Sequence, residues 1–191
     1  MANRNISLGD RYAEISVLIV TVIALLAGWF YKSGVENRSI PFNSGGITAA
    51  LPQGWLQAQP AGDEVLRVID LGSPGGFGTT YVLRKVPIAA DASSSQISSL
   101  VALDHGQNLS AFRVLDQREV TVFGRGAYEL SYVFVESNPD VTHNDIPNVV
   151  RGVDYIFING DHAIVASFQA DEKNYDLDLS RFQAFLESIG Y

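Results

Sequence analysis

Cysteine is absent from this chain and methionine occurs once. Without thiols there is no disulfide, no thiolate nucleophile, no iron–sulfur ligation and no covalent haem attachment through CxxCH, while the redox compartment stays open. Histidine is scarce as well. The three present, His105, His143 and His162, fall at no HExxH or other ligand spacing, so they read as surface or capping residues and no metal site is expected. Basic residues are outnumbered, 13 Lys and Arg against 21 Asp and Glu. Arg4 and Arg11 offset Asp10 and Glu14, so the net charge of −8 lies in the chain that follows. Nucleic acid is excluded as a partner on that balance, because phosphate binding needs a basic surface. An acidic domain is repelled by anionic headgroups and can steer a basic soluble protein toward itself.

What the chain does have is an uncharged run near its start, Ile15 to Tyr31 (ISVLIVTVIALLAGWFY). At about 1.5 Å per helical residue, this run with flanking Tyr12 and Lys32 just spans a hydrocarbon core of about 30 Å. The bulky Trp29, Phe30 and Tyr31 after Ala27 and Gly28 disfavour cleavage as a secretory signal. With Tyr12 at the other end, Trp29 and Tyr31 suit an interfacial aromatic belt. The expectation is a single-pass anchor in the cell membrane, with residues 1–14 as a cytoplasmic tail and the larger domain extracytoplasmic. Arg4 and Arg11 before the run nearly balance Lys32 and Arg38 after it, and the amino terminus tips the orientation inward. Thr21, Ala24 and Gly28 fall on one helical face. They are either a small-xxx-small packing surface for another membrane helix or the small residues any such helix carries.

Residues 32–46 (KSGVENRSIPFNSGG) mix polar residues, Gly and Pro without periodicity and read as a linker. A domain of residues 47–191 follows. Strands are expected at Ile47 to Leu51, closed by the turn Pro52-Gln53-Gly54 before Trp55, around Glu64 to Asp70, and at Thr79 to Val86 after a glycine-rich loop. Ser95 to Asn108 reads as a helix behind serine caps, with Ile97, Leu100, Val101 and Leu103 as its apolar positions. Phe112 to Val122 and Ala127 to Glu136 form a hairpin across Phe123-Gly124-Arg125-Gly126, and Val149 to Ile158 pairs with His162 to Gln169 across Asn159-Gly160. Asp178 to Ile189 closes the chain as a helix with an apolar stripe of Leu179, Phe182, Phe185, Leu186 and Ile189. The fold class is α+β: an antiparallel sheet with a crossing helix and a C-terminal helix on its face.

Motifs for chemistry are few. The loop Gly72 to Gly78 (GSPGGFG) lacks the Lys-Ser/Thr ending of a P-loop and leads into a strand, so it reads as a flexible hairpin loop rather than a phosphate cradle. The loop Ser137 to Asn148 concentrates Asp140, Asn144, Asp145 and Asn148 without EF-hand spacing and reads as a protein contact more than a calcium site. No G-x-S-x-G elbow occurs. Neither a catalytic residue nor a cofactor is expected.

Four features, Leu51-Pro52-x-Gly54-Trp55, the strand from Gly126 with Tyr128, Glu129 and Tyr132, Asn159-Gly160 after Tyr155, and the closing Phe185-Leu186-Glu187-Ser188-Ile189, together resemble the PsbP-like fold family. That family includes the extrinsic lumenal subunit of photosystem II, a Ran-binding nuclear-transport factor and bacterial extracytoplasmic domains. The resemblance spans residues 46 to 189. It implies a domain without a common catalytic centre that binds or stabilises larger assemblies, and no metal-binding or Ran-binding residues carry over. The expected function is a non-catalytic accessory or assembly subunit of a bacterial membrane complex, of respiratory or photosynthetic electron transfer, whose partners are integral membrane subunits and the lipid bilayer. The alternative is a freestanding tethered binding or stress-response module with a ligand cavity between sheet and helix.

Overall fold

A computed structural model describes residues 8–36, 38–89, 91–136 and 147–191. Two compact units meet at residues 39 and 40 of the chain. The first unit is one helix, α1 (Leu8–Glu36, 29 residues), longer at both ends than the apolar run. Ser16 and Thr21 return their hydroxyl protons to the carbonyls of Tyr12 and Val17, each at 2.8 Å, which keeps these polar atoms satisfied along an apolar helix. Every side chain described here, Tyr12 and residues 14–30, is exposed. Among the described residues no helix is long and apolar enough to cross a membrane, so the expected spanning segment 15–31 is a helix with no structural support for a bilayer role.

The second unit contains β1 (Ser39–Ser44), β2 (Ile47–Pro52), β3 (Leu56–Ala58), β4 (Glu64–Asp70), β5 (Thr79–Pro87), α2 (Ser94–Asn108), β6 (Arg113–Val122), β7 (Arg125–Glu136), β8 (Asn148–Asn159), β9 (His162–Asp171) and α3 (Tyr175–Glu187). β1 and β2 form a small two-stranded sheet, and the rest form a seven-stranded sheet in the order β3-β4-β5-β9-β8-β7-β6. All of the large sheet's pairings are antiparallel.

Two strands, β1 and β3, depart from the sequence expectation. Residues 32–46 are not a plain linker: α1 continues to Glu36 and β1 begins at Ser39. Gly45 and Gly46 both adopt positive φ, which makes the tight turn into β2, and Phe42 packs against the core. β3 is a three-residue edge strand, too short to show a period in the sequence.

The two helices cover opposite faces of the sheet. α3 lies against β2 and β9, and Phe182, Phe185 and Leu186 join Tyr81, Tyr155, Phe157 and Phe168 in the larger core. Phe182 and Phe168 stack with ring centroids 5.1 Å apart, and each such buried ring stabilises the fold by about 1.5–3 kcal/mol. Arg125 closes the end of α3. It donates to the carbonyls of Leu186 and Ile189 at 3.2 and 3.0 Å while its guanidinium lies 5.1 and 5.2 Å from the Phe157 and Tyr191 rings. α2 starts with a capping box between Ser93 and Gln96 and packs on β6, β7 and β8 of the other face. Its buried residues are Ile97, Ser98, Val101 and His105. Leu100 and Leu103, expected in the apolar stripe, are exposed instead, because the buried face follows the i, i+4, i+8 line through residues 97, 101 and 105. On this side α2 also packs on Ala163 and Val165 of β9, and Ile69, Thr80, Val82, Ser167 and Gln169 of β4, β5 and β9 line a groove beside it.

Candidate functional site

Cross-strand register sets two adjacent rows of residues on the α2 side of the sheet. One runs Tyr132, Gly152, Gln169, Thr80, Ile69 across β7, β8, β9, β5 and β4; the next runs Leu130, Asp154, Ser167, Val82, Arg67. Gly152 sits directly opposite Tyr132. A Cβ there would lie 2.7 Å from the Tyr132 hydroxyl and closer still to its ring, so glycine alone lets the ring lie across β8. From that position the hydroxyl reaches Asp154 Oδ1 at 3.3 Å and accepts from Gln169 Nε2 at 3.0 Å. His105, on the last turn of α2, meets Asp154 Oδ2 with Nε2 at 2.7 Å and stacks against Tyr132 and Phe112.

Asp154 is fully buried, and its two partners supply the hydrogen bonds that a carboxylate needs away from water. Burial first, and then the Asp154 charge, raise the Tyr132 pKa well above the ordinary tyrosine value, so this hydroxyl keeps its proton. The result is a continuous chain, His105–Asp154–Tyr132–Gln169, whose two end residues line a groove of about 750 Å³.

The groove walls are tied down. Arg84 bridges Asp63 and Asp104 at 2.9 and 3.0 Å, and Arg67 pairs with Glu64. Burial lowers the pKa of Arg84, but the hydrogen bonds and charges of Asp63 and Asp104 outweigh it and leave a net rise. The glycine-rich loop, expected as a flexible hairpin loop, does join the antiparallel pair β4 and β5, and it also forms another wall of the groove through several hydrogen bonds. Gly72 N–H donates to Asp70, Ser73 and Thr79 share a 2.8 Å hydrogen bond, Thr79 donates to Asp178 at 2.7 Å, and Asn174 donates to the Pro74 carbonyl. Its glycines serve close approach: a Cβ at Gly76 would meet the Asn148 amide, and one at Gly75, whose φ is +116°, would meet Asp171. Phe77 from this loop meets Phe134 edge-on at 6.0 Å. Chemically, the groove offers hydroxyls, amides and an aromatic edge, with its guanidinium groups already paired.

The residues singled out in the sequence lie elsewhere. Tyr12, Thr21, Ala24, Gly28 and Trp29 are exposed on α1, where nothing lies within 4 Å of a Cβ added at Gly28. The side chain of Tyr31 falls outside the described residues, as do residues 137–146 with Asp140, His143, Asn144 and Asp145, whereas Asn148 lines the groove. His162 is partly exposed and contacts Asp161 at 2.5 Å, but His105 is buried, contrary to the expected surface or capping role. Among the described residues no group of three or more His, Cys, Asp or Glu is placed to hold a metal ion. Sequence reasoning missed Asp154, Tyr132, Gly152, Ser167 and Gln169. The available signal was the strand VVRGVDYIF, where an interior glycine marks close approach and a lone carboxylate interrupts an apolar run.

No protein-family model matches the chain, and no curated protein matches it. Solved structures do resemble it. The solution structure of cyanobacterial PsbP (CyanoP) from Synechocystis sp. PCC 6803 superposes with a TM-score of 0.57 at 16% identity, covering 82% of this chain and 95% of that one. A crystal structure from Bacteroides thetaiotaomicron gives 0.52 at 10% identity, covering 80% of this chain and 48% of that one. The Saccharomyces cerevisiae Ran-binding protein Mog1p gives 0.48 at 12% identity, covering 78% and 95%. At such identities the likeness is one of architecture. The domain carried by this chain has a PsbP-like fold.

Proposed function

We propose that this chain is a non-catalytic accessory subunit of a bacterial membrane complex, held by α1 in the cell membrane with its PsbP-like domain on the outer face. The observation that carries the reading is the surface of α1. Residues 15–30 bear no charge, and their side chains are exposed all around the helix. An apolar surface of that extent needs lipid or another protein to cover it. The amino-terminal side then faces the cytoplasm, with Tyr12, Trp29 and Tyr31 at the interfaces and Thr21, Ala24 and Gly28 against an integral subunit. A respiratory or photosynthetic electron-transfer complex is the proposed host, by analogy with the fold of cyanobacterial PsbP. The domain is read as non-catalytic because both guanidinium groups of the groove, Arg67 and Arg84, are committed to neighbouring carboxylates.

The test is gentle detergent extraction from native membranes, size separation and mass spectrometry of whatever comigrates. The subunit reading expects stable comigration with integral subunits, and it expects Ala24→Leu with Gly28→Leu to release the chain while the domain's melting curve is unchanged. Migration at the chain's own size, or full retention of the double variant, counts against it. A second reading, a freestanding tethered binding module, is favoured by the groove, whose convergent polar groups suit a small ligand.

A further inference from the structure

We propose that the groove beside α2 is a binding site for an uncharged, polyhydroxylated ligand of the mono- or disaccharide class. The inference deepens the binding-module reading and does not depend on what α1 contacts. It starts from Ser167. This residue is 3% exposed, lies between Asp154 and Val82 in the sheet and lines the groove, and its hydroxyl makes no hydrogen bond to another described residue. This hydroxyl is reached from the groove rather than sealed away without a partner, so a ligand entering there can bond to it.

The neighbouring polar atoms are half-used in a consistent way. Thr80, 4% exposed, spends its proton on the Gly78 carbonyl at 2.8 Å, which leaves its oxygen to accept. Gln169 spends one amide proton on Tyr132, and its carbonyl oxygen makes no hydrogen bond to a described residue. Ser167, Thr80 and Gln169 therefore present two donors, the Ser167 hydroxyl and the second Gln169 amide proton, and three acceptor oxygens within two adjacent strands. Acceptor-rich floors of this kind match ligands that carry many hydroxyl donors.

Charge argues against ionic ligands. Among the described lining residues, an anion would meet Asp63, Glu64, Asp104 and Glu136 against Arg67 and Arg84. It would also have to draw each guanidinium out of an existing pair. A cation would find Asp63, Glu64 and Asp104 already held by guanidinium groups, with Glu136 alone among the described lining carboxylates outside those pairs. A neutral ligand disturbs neither, and the paired guanidinium groups still hold the walls in place. The Phe77 and Phe134 edge supplies an apolar surface for the C–H face of a sugar ring, and about 750 Å³ lies within the range of small-molecule sites.

The experiment is amide-resolved NMR on the full chain in a detergent without a sugar headgroup, titrated separately with maltose, cellobiose, diacetylchitobiose, inorganic phosphate and putrescine. The expected result is saturable shifts at Thr80, Val82, Ser167 and Gln169 with at least one saccharide and none with phosphate or putrescine. Ser167→Ala should weaken that saccharide by about three- to tenfold, the value of one hydrogen bond, without changing the melting curve. Should Ser167→Ala fail to fold, Asn108→Ala provides the second variant, with weakened saccharide binding again expected: Asn108 is exposed, lines the groove, and donates its amide protons to Asp104 while its Oδ1 is left to accept. Saturation by phosphate or putrescine alone, no response to any saccharide, or saccharide shifts that a folded variant leaves unchanged would each overturn the assignment. None of these results bears on comigration with membrane subunits, so the two readings fail separately.

Discussion

Gly152→Ala is the most direct probe of the polar chain beneath the groove. The new Cβ would stand 2.7 Å from the Tyr132 hydroxyl, about 1 Å inside ordinary van der Waals contact, and nearer still to the ring carbons. Tyr132 has nowhere to go. It is fully buried, with the rings of His105, Phe112 and Phe134 centred 4.8, 5.4 and 6.3 Å away. Overpacking of this kind costs about 1–3 kcal/mol. Displacing the hydroxyl also weakens its two hydrogen bonds, each worth about 0.5–1.5 kcal/mol. A loss of about 3 kcal/mol follows, or a fall in Tm of about 6–12 °C for a domain of this size. Urea and thermal unfolding by circular dichroism measure it. Gly126→Ala is the control, since nothing lies within 4 Å of a Cβ there. The steric cause is separated from backbone effects by repeating Gly152→Ala in a Tyr132→Leu background, where its cost should shrink. Equal stability of Gly152→Ala and Gly126→Ala would refute the close approach on which the site is built.

Raising the pH should unfold the domain from the alkaline side. Tyr175 is pushed up to about 12, chiefly by burial, and Tyr81, Tyr132 and Tyr155 are raised further for the same leading reason. Because these folded-state values exceed the unfolded value of about 10, their stabilising contribution is complete below pH about 10. It is lost progressively as pH rises through about 12. The tyrosinate absorbance of these four side chains should therefore appear only together with loss of secondary structure; the full absorbance of all eight tyrosines developing near pH 10 in a folded domain contradicts this. Arg125→Ala should cost about 2–3 kcal/mol in urea unfolding through the lost charged hydrogen bonds to α3 and the two ring contacts, with Arg125→Lys recovering only part. A change under about 0.5 kcal/mol would show that the α3 terminus does not depend on it.

The sequence legibly announced elements whose signals are local. Asn159-Gly160 and Gly124 marked the two long hairpins, serine caps marked the start of α2, and Phe182, Phe185 and Leu186 marked the buried face of α3. Turn chemistry, caps and periodicity depend on residues a few positions apart, so one strand or helix contains the whole message. The same reasoning misjudged Leu100 and Leu103, because two candidate faces of α2 carry apolar residues and only the sheet decides which is buried. It read residues 72–78 as a hairpin loop, which they are, but not that Gly76 and Gly75 serve close packing against Asn148 and Asp171.

By itself, then, the sequence determined an α+β domain with antiparallel hairpins, an acidic balance and an apolar helix preceding it. Tertiary structure alone decided that β5 pairs with β9 across the α2 crossover, which sets Thr80 beside Gln169 and Val82 beside Ser167. It also decided that His105 meets Asp154, 49 residues away. The physical reason is that a buried carboxylate or hydroxyl is tolerated only where distant strands bring it a partner. Which strands become neighbours is fixed by packing the whole sheet rather than by any local pattern.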